Sequence, residues 1–341
     1  MTETEHTEHG VSPVTEERIR RLFFEKGLGA VALPIVPVSG GFLHRMYRVE
    51  TADRVYAVKA LDPNIMKRPD AIANYRRADA LESVLEAAGI PIVPALTFDG
   101  AKLLSVDGAY FYLFRWQNGA VTDWYNITPA QCRLAGSIQG RIHAIDPGPV
   151  PKIKPEHSAI DWDAWIETAG RGNAGIGDLL RENRALLYDV QRELNQARDA
   201  LPGITRITDE DMDPKNVMWD AGNPVVIDLE CLEYGNPVSS ALQLSLQWAG
   251  VTTCDLDPGK LQAFFDGYLE AYDNGFRDYS AVFGLAYTWI EWLAYNLERA
   301  LGDGTDAAAH KTCVSEVCNT VARIRYIRDR EAEIKRQLER L

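Results

Sequence analysis

The sequence lacks the features that identify several large classes of protein. Its five cysteines form an odd set with no Cys-x-x-Cys pair, which argues against a disulfide framework and a cysteine zinc site. It has no long apolar run, and residues 1–14 are polar and acidic instead of an apolar signal segment. We therefore expect a cytoplasmic protein with no membrane span and a flexible terminus.

An excess of basic residues is also missing. The formal net charge is −13, which argues against nucleic acid or an anionic membrane as a general partner, because both need a basic face. A cationic small-molecule partner is compatible with this charge. The sequence does not indicate an oligomeric state.

The length of 341 residues favours two domains at roughly 150 residues each. After the flexible terminus, residues 15–116 combine two helical patterns, at 15–26 and about 70–88, with short strand patterns at 35–38, 46–51, 55–61 and 110–116. Thr15 can cap the first helix, and Ile19, Leu22 and Phe23 are spaced for one buried face. Residues 117–341 are mainly helical in pattern. The sequence thus predicts an α+β protein with a β-rich N-terminal lobe and a mostly α-helical C-terminal lobe.

One polar loop carries the strongest chemical signal. Asp211 precedes Asn216 by five positions, and Asp228 follows at the end of a short apolar strand. Transfer of a γ-phosphoryl group needs a carboxylate that orients and deprotonates the acceptor hydroxyl, and oxygen ligands that hold Mg²⁺ on the phosphates. Asp211 suits the first task, and Asn216 and Asp228 suit the second. An ordinary acidic turn is the alternative interpretation, since Asp, Asn and Pro are common turn residues.

This loop resembles the aminoglycoside phosphotransferase and choline kinase family. Members usually read His-Gly-Asp-x-x-x-x-Asn, followed by Ile-Asp-x-Glu or Ile-Asp-Trp, and this chain has Ile227-Asp-Leu-Glu230. One departure is that Asp209-Glu210 stands where His-Gly is usual. The resemblance implies a bilobal protein-kinase-like fold that binds ATP and Mg²⁺.

Upstream residues extend the resemblance. Lys59, in Ala57-Val-Lys59, matches the strand lysine that contacts the α/β-phosphates. Gly40 and Gly41 would lie over the phosphates, although a plain turn needs such glycines equally. The family usually has a helix glutamate that pairs with the lysine, and Asp79 is the best match, with Glu82 one turn further along. A solvated surface residue is the alternative for Lys59, as it is for both helix carboxylates.

The expected hinge between lobes follows the apolar strand at residues 110–116. Adenine would stack there and bond the backbone near Phe114 to Trp116. In the helical part, His143 is expected to pack in the core instead of acting as a base. The last helix, from about residue 307, is highly charged and predicted to lie exposed on the outside.

The expected activity is ATP-dependent phosphorylation of a hydroxyl on a small molecule. Acidic residues near the reaction centre, Asp213 and Glu233 among them, favour a cationic acceptor such as an aminoglycoside, and Glu291 is a further candidate substrate contact. A sugar kinase or a choline or amino-alcohol kinase is the alternative enzyme. A catalytically impaired kinase-like binding protein is the alternative from another class, because the loop histidine is absent.

Overall fold

The structure is a computed structural model that describes residues 11–32, 34–38, 44–153, 156–273, 275–302 and 307–341. Gly40 and Gly41 lie outside the described residues. The chain divides into a first unit, residues 1–120 with 218–232, and a second unit, residues 121–217 with 233–341. The segment 218–232, which carries Asp228, therefore groups with the strand-rich unit and not with the helical residues around it.

A five-stranded antiparallel sheet forms the centre of the first unit. Its spatial order is β1 (Val36–Val38), β2 (Arg45–Glu50), β3 (Val55–Ala60), β5 (Ala109–Arg115) and β4 (Leu104–Val106). Alternate side chains of β2 and β3 point into the core, as a half-buried sheet requires. The register places Lys59 opposite Met46 on one side and Tyr112 on the other.

Three helices accompany this sheet: α1 (Pro13–Glu25), the single turn α2 (Pro63–Met66) and α3 (Ala71–Ala87). Ser12 caps α1, because its side chain accepts the Thr15 backbone N–H; the sequence had favoured Thr15 as the cap. The predicted face of α1 is confirmed, since Ile19, Leu22 and Phe23 are buried in the core with the sheet.

The second unit contains eight described α-helices: α4 (Pro129–Ala144), α5 (Trp162–Gly172), α6 (Ala174–Glu182), α7 (Arg184–Asp199), α8 (Pro237–Trp248), α9 (Pro258–Ala271), α10 (Trp289–Leu301) and α11 (Ala307–Leu338). Thr128 opens α4 with a full capping box to Gln131. The remaining short strands form two small sheets: β7 (Arg206–Asp209) pairs with β10 (Leu232–Gly235), and β6 (Ala120–Val121), β8 (Val217–Asp220) and β9 (Asn223–Val226) form a three-stranded sheet. Of these strands, β9 and all of β8 except Val217 belong to the first unit.

Helices α4 and α9 cross with their backbones almost in contact. A methyl group built on Gly136 would lie 2.0 Å from the Phe264 carbonyl oxygen, and one on Gly267 would lie 2.0 Å from the Arg133 carbonyl oxygen. Only glycine permits that approach. The crossing brings the Nδ1 atom of His143 to 2.9 Å from the Tyr268 hydroxyl.

The expectation that α11 lies exposed is wrong. One side of this charged helix is buried, and α10 packs against the helix. The buried apolar residues recur at helical spacing, so one stripe enters the core while the charges face water: Cys313, Val317, Val321, Ile324, Ile327, Ile334 and Leu338. None of the helices in the described ranges combines the length and the apolar character that a membrane crossing needs.

Candidate active site

The loop after β7 is held by its own backbone and by one tryptophan. The Asp211 N–H donates to Asp209 Oδ1 at 3.1 Å, and the Trp248 indole N–H donates to the Met212 carbonyl at 3.0 Å. Asp213 caps the short 3₁₀ turn Pro214–Asn216 by accepting the Lys215 N–H. Asp209 is 2% exposed, and the hydrogen bond from the Asp211 backbone gives this side chain a structural place in the loop.

Asp211 and Asn216 meet in this loop. The Asn216 side-chain amide donates to the Asp211 backbone carbonyl at 2.8 Å and to Asp211 Oδ2 at 2.9 Å. Both bonds use the amide nitrogen, so the amide oxygen of Asn216 is the group available to ligate a cation. The carboxylate of Asp211 is fixed in one orientation, as a proton acceptor requires.

Lys215 is a member of this cluster that the sequence analysis missed. Its Nζ lies 2.7 Å from Asp211 Oδ1 and 2.7 Å from Asp213 Oδ2. A lysine four positions after one aspartate and two after another was the available signal. Burial raises the pKa of Asp213 to about 6, although Lys215 opposes this shift.

Two glutamates of the second unit, Glu210 and Glu233, have access to solvent. Desolvation by the surrounding protein, together with the charge of Glu233, raises the pKa of Glu210 to about 7, so this carboxyl group is only partly ionised at neutral pH. Glu291 belongs to a structural cluster, because Arg198 donates to both of its carboxylate oxygens at 2.8 Å and the Ser158 hydroxyl donates to Oε1. The carboxylate of Glu291 is thus already engaged.

Lys59 lies in the first unit and is 6% exposed. Its Nζ is 2.5 Å from Asp228 Oδ1 and 2.5 Å from Glu230 Oε2. Burial would lower the pKa of Lys59, but the two carboxylates outweigh that effect and raise it, so the side chain stays charged. A buried ammonium needs such partners.

Glu230 is held on both sides. Its Oε1 lies 3.1 Å from His44 Nε2, and its Oε2 contacts Lys59. Burial would raise the pKa of Glu230, but the His44 hydrogen bond and the Lys59 charge bring it down to about 2. Glu230 was noted in the sequence only as part of the Ile-Asp-x-Glu pattern, and its partners could not be inferred because they lie far away in the chain.

Asp228 lies two residues after the end of β9, in a left-handed backbone conformation with φ of 63°. A residue other than glycine adopts this conformation at some cost in energy, and such residues concentrate at functional sites. Asp228 and Asn216 are oxygen donors of the kind that Mg²⁺ uses. In the described part of the chain, no three His, Cys, Asp or Glu side chains converge as a metal cluster.

The helix carboxylates do not pair with Lys59 as the sequence analysis expected. Asp79 Oδ1 accepts the Tyr112 hydroxyl at 2.8 Å. Glu82 Oε1 accepts the Lys102 ammonium at 2.6 Å and the Ala95 N–H at 2.8 Å. The reason is local, because β5 and the segment before it supply these partners within the same unit.

The expected hinge backbone is partly occupied by the sheet. Phe114 pairs with Ala57 of β3, and the Trp116 N–H donates to the Val55 carbonyl at 3.1 Å. The Arg48 guanidinium lies over the Trp116 ring, 5.3 Å from the ring centroid. Adenine recognition by the backbone of Phe114 or Trp116 would therefore compete with bonds that already exist in the sheet.

One family model matches this sequence. The model of the "Phosphotransferase enzyme family" matches residues 34–294. A comparison with curated protein sequences finds no match.

Solved structures share the fold at low sequence identity. A spectinomycin phosphotransferase in complex with ADP and spectinomycin has a TM-score of 0.64 at 13% identity, covering 90% of this chain and 97% of that one. A Plasmodium vivax ethanolamine kinase has a TM-score of 0.58 at 13% identity, and the match covers 84% of this chain and 81% of that one. An amicoumacin kinase in complex with AMP-PNP, Ca²⁺ and Ami has a TM-score of 0.59 at 11% identity, and the match covers 92% of this chain and 96% of that one.

These likenesses confirm the expected fold class, a protein-kinase-like fold with a β-rich N-terminal lobe and a mostly helical C-terminal lobe. The family match covers most of the chain, including β3 with Lys59, the loop with Asp211 and Asn216, and Asp228. The chain belongs to the phosphotransferase enzyme family.

Proposed function

We propose that this protein transfers the γ-phosphoryl group of ATP to a hydroxyl group of a small molecule. The observation that carries the proposal is the hydrogen-bonded Asp211–Asn216 pair in a loop held by Asp209 and Trp248. Family membership supports phosphoryl transfer, and the nucleotides ADP and AMP-PNP in two of the similar structures support ATP as the donor.

Each residue has a defined task in this proposal. Asp211 accepts the proton of the acceptor hydroxyl while the acceptor oxygen bonds to the γ-phosphorus. The bond from that phosphorus to the β–γ bridging oxygen breaks, and ADP leaves with the electron pair. Lys59 contacts the α/β-phosphates, and Asn216 and Asp228 would hold Mg²⁺. When bound, the ion offsets the negative charge of the phosphates.

The acceptor class that we propose is a small hydroxyl compound that carries a positive charge. Glu210 and Glu233 place two solvent-accessible carboxyl groups in the second unit, and the net charge of −13 is compatible with a cationic acceptor. Spectinomycin, ethanolamine and amicoumacin in the names of the similar structures point the same way. Aminoglycosides and amino alcohols are therefore the first candidates, and neutral sugars come next.

The test separates nucleotide binding from catalysis. Wild-type protein is supplied with MgATP and a panel of aminoglycosides, amino alcohols and sugars, and ADP release and product mass are measured. We expect transfer to at least one cationic acceptor. Asp211→Asn should bind MgATP with nearly unchanged affinity in calorimetry and lose about 10²-fold to 10⁴-fold in kcat, the usual contribution of a positioned base.

The impaired binding protein is the alternative, favoured by Asp209-Glu210 in place of the usual His-Gly. Asp209→His is its matched control. If the wild type is inert with every acceptor and Asp209→His is active, the natural loop is disabled. If both turn over at similar rates, the substitution at this position is a structural variation, in agreement with the Asp209–Asp211 hydrogen bond.

A further inference from the structure

The partner that holds Lys59 determines where its ammonium can meet the phosphates. The carboxylates of α3 are already engaged, Asp79 by Tyr112 and Glu82 by Lys102. Lys59 instead contacts two carboxylates, that of Asp228 and that of Glu230, which lies 171 residues further along the chain. This glutamate is 20% exposed in its side chain, so the pair is largely shielded from water and depends on good geometry.

Glu230 in turn depends on His44. The backbone N–H of Asp62 donates to His44 Nδ1 at 3.0 Å, so Nδ1 is an acceptor and the ring proton lies on Nε2. That nitrogen faces Glu230 Oε1 at 3.1 Å and the Tyr75 hydroxyl at 3.1 Å. The imidazole is 6% exposed. The Asp62 contact therefore selects the tautomer that donates to Glu230.

We propose that His44 and Glu230 are positioning residues for Lys59, and that this pair does the work expected of a carboxylate on α3. His44 fixes the rotamer of Glu230 through Oε1, and Glu230 fixes the Lys59 ammonium through Oε2. The proposal rests on the proposed function, because it assigns Lys59 to the phosphates of ATP. It adds a residue, His44, that lies just after the Gly40-Gly41 segment and was not among the predicted site residues.

The two histidine contacts can be separated by matched substitutions. A glutamine carries its amide nitrogen at nearly the distance of Nε2, so His44→Gln can still donate to Glu230. An asparagine has an oxygen near the position of Nδ1, so His44→Asn can keep the Asp62 contact but does not reach Glu230. If His44 acts only by holding the turn at Asp62, His44→Asn should keep MgATP affinity closer to wild type than His44→Gln. If His44 positions Glu230, His44→Gln should be the variant that stays closer to wild type.

The experiment measures MgATP affinity by calorimetry and KM for ATP beside kcat. We expect Glu230→Gln and His44→Asn to weaken MgATP binding about 10-fold to 100-fold, the usual range for hydrogen bonds to charged groups. KM for ATP should rise more than kcat falls, and His44→Gln should bind close to wild type. Glu82→Gln is the control, expected to melt at lower temperature with unchanged MgATP affinity.

Several results would overturn the assignment. They are wild-type affinity in both Glu230→Gln and His44→Asn, equal losses in His44→Gln and His44→Asn, or a loss in Glu82→Gln as large as that in Glu230→Gln. If Glu230→Gln does not fold, the comparison of the two His44 variants decides alone. The proposed function fails separately, if wild-type protein neither binds MgATP nor phosphorylates any acceptor.

Discussion

At the scale of single residues, the two histidines that are buried in the described ranges serve different purposes. His44 contacts charged and polar groups around Lys59, whereas His143 lies fully buried between α4 and α9. Burial lowers the pKa of His143 to about 3, and the nearby Arg206 charge acts in the same direction. The prediction that His143 packs in the core is confirmed by its burial and by its edge contacts with Tyr268 and Tyr272.

His143 should make folding stability depend on pH. The unfolded chain protonates this imidazole near its ordinary pKa of about 6.5, whereas the folded chain does so only near 3. Between these values the unfolded state binds more protons, so the free energy of unfolding falls as pH falls from about 6.5 to about 3. His143→Gln should remove up to about 1.4 kcal/mol per pH unit from that slope.

Urea denaturation of both proteins at several pH values between about 4 and 8 provides the measurement. Other groups that titrate in this range contribute equally to both slopes, so the difference between them reports His143. Identical slopes in wild type and variant would show that the folded protein protonates this side chain as easily as the unfolded chain does.

At the scale of elements, the glycines between α4 and α9 set how closely the two helices pack. Gly136 and Gly267 each face a backbone carbonyl oxygen of the other helix. A carbonyl oxygen within a helix moves only with its helix, so a side chain cannot be accommodated by a small local rotation.

Gly136→Ala and Gly267→Ala should therefore destabilise the protein, against the ordinary gain of alanine in a helix. We expect each to lower the free energy of unfolding by about 1–3 kcal/mol, the usual range for overpacking. Gly203→Ala is the control, because a methyl group there meets no atom within 4 Å. Thermal melts of the three variants test this, and a stable Gly136→Ala would mean that the crossing is loose.

The elements that the sequence predicted well are those with local signals. α1, α3 and four strands of the first sheet, β1, β2, β3 and β5, lie within a few residues of their predicted positions, because caps, glycines and alternating side chains mark them. β4 was not predicted. The exposure of α11 was predicted wrongly because its apolar stripe is narrow and its many charged residues make the helix hydrophilic on average. The partners of Lys59 were missed because they come from a segment 169 and 171 residues away.

At the scale of the whole molecule, the net charge of −13 acts on any charged acceptor before it binds. A protein with such an excess of negative charge attracts cations from solution and raises their association rate. The attraction is long-ranged at low salt and short-ranged at high salt, with a screening length of about 30 Å at 0.01 M and about 3 Å at 1 M.

A cationic acceptor should therefore lose kcat/KM as potassium chloride increases, while a neutral sugar acceptor should not. Glu233→Gln should flatten the salt dependence for the cationic acceptor, because it removes one charge near Glu210. Initial rates at subsaturating acceptor and saturating MgATP measure this. Parallel salt curves for charged and neutral acceptors would show that the overall charge has no part in acceptor selection.

The division of the chain also affects how the first unit can form during synthesis. Its last segment, residues 218–232, follows 97 residues that belong to the second unit. A chain that has emerged from the ribosome only as far as residue 120 contains Lys59 but neither Asp228 nor Glu230. Such an intermediate has either to keep the lysine hydrated or to bury it without its natural counter-ions, at a high cost in energy. The contacts of Lys59 with Asp228 and Glu230 in the first unit can thus form only after helices α4 to α7 have been synthesised.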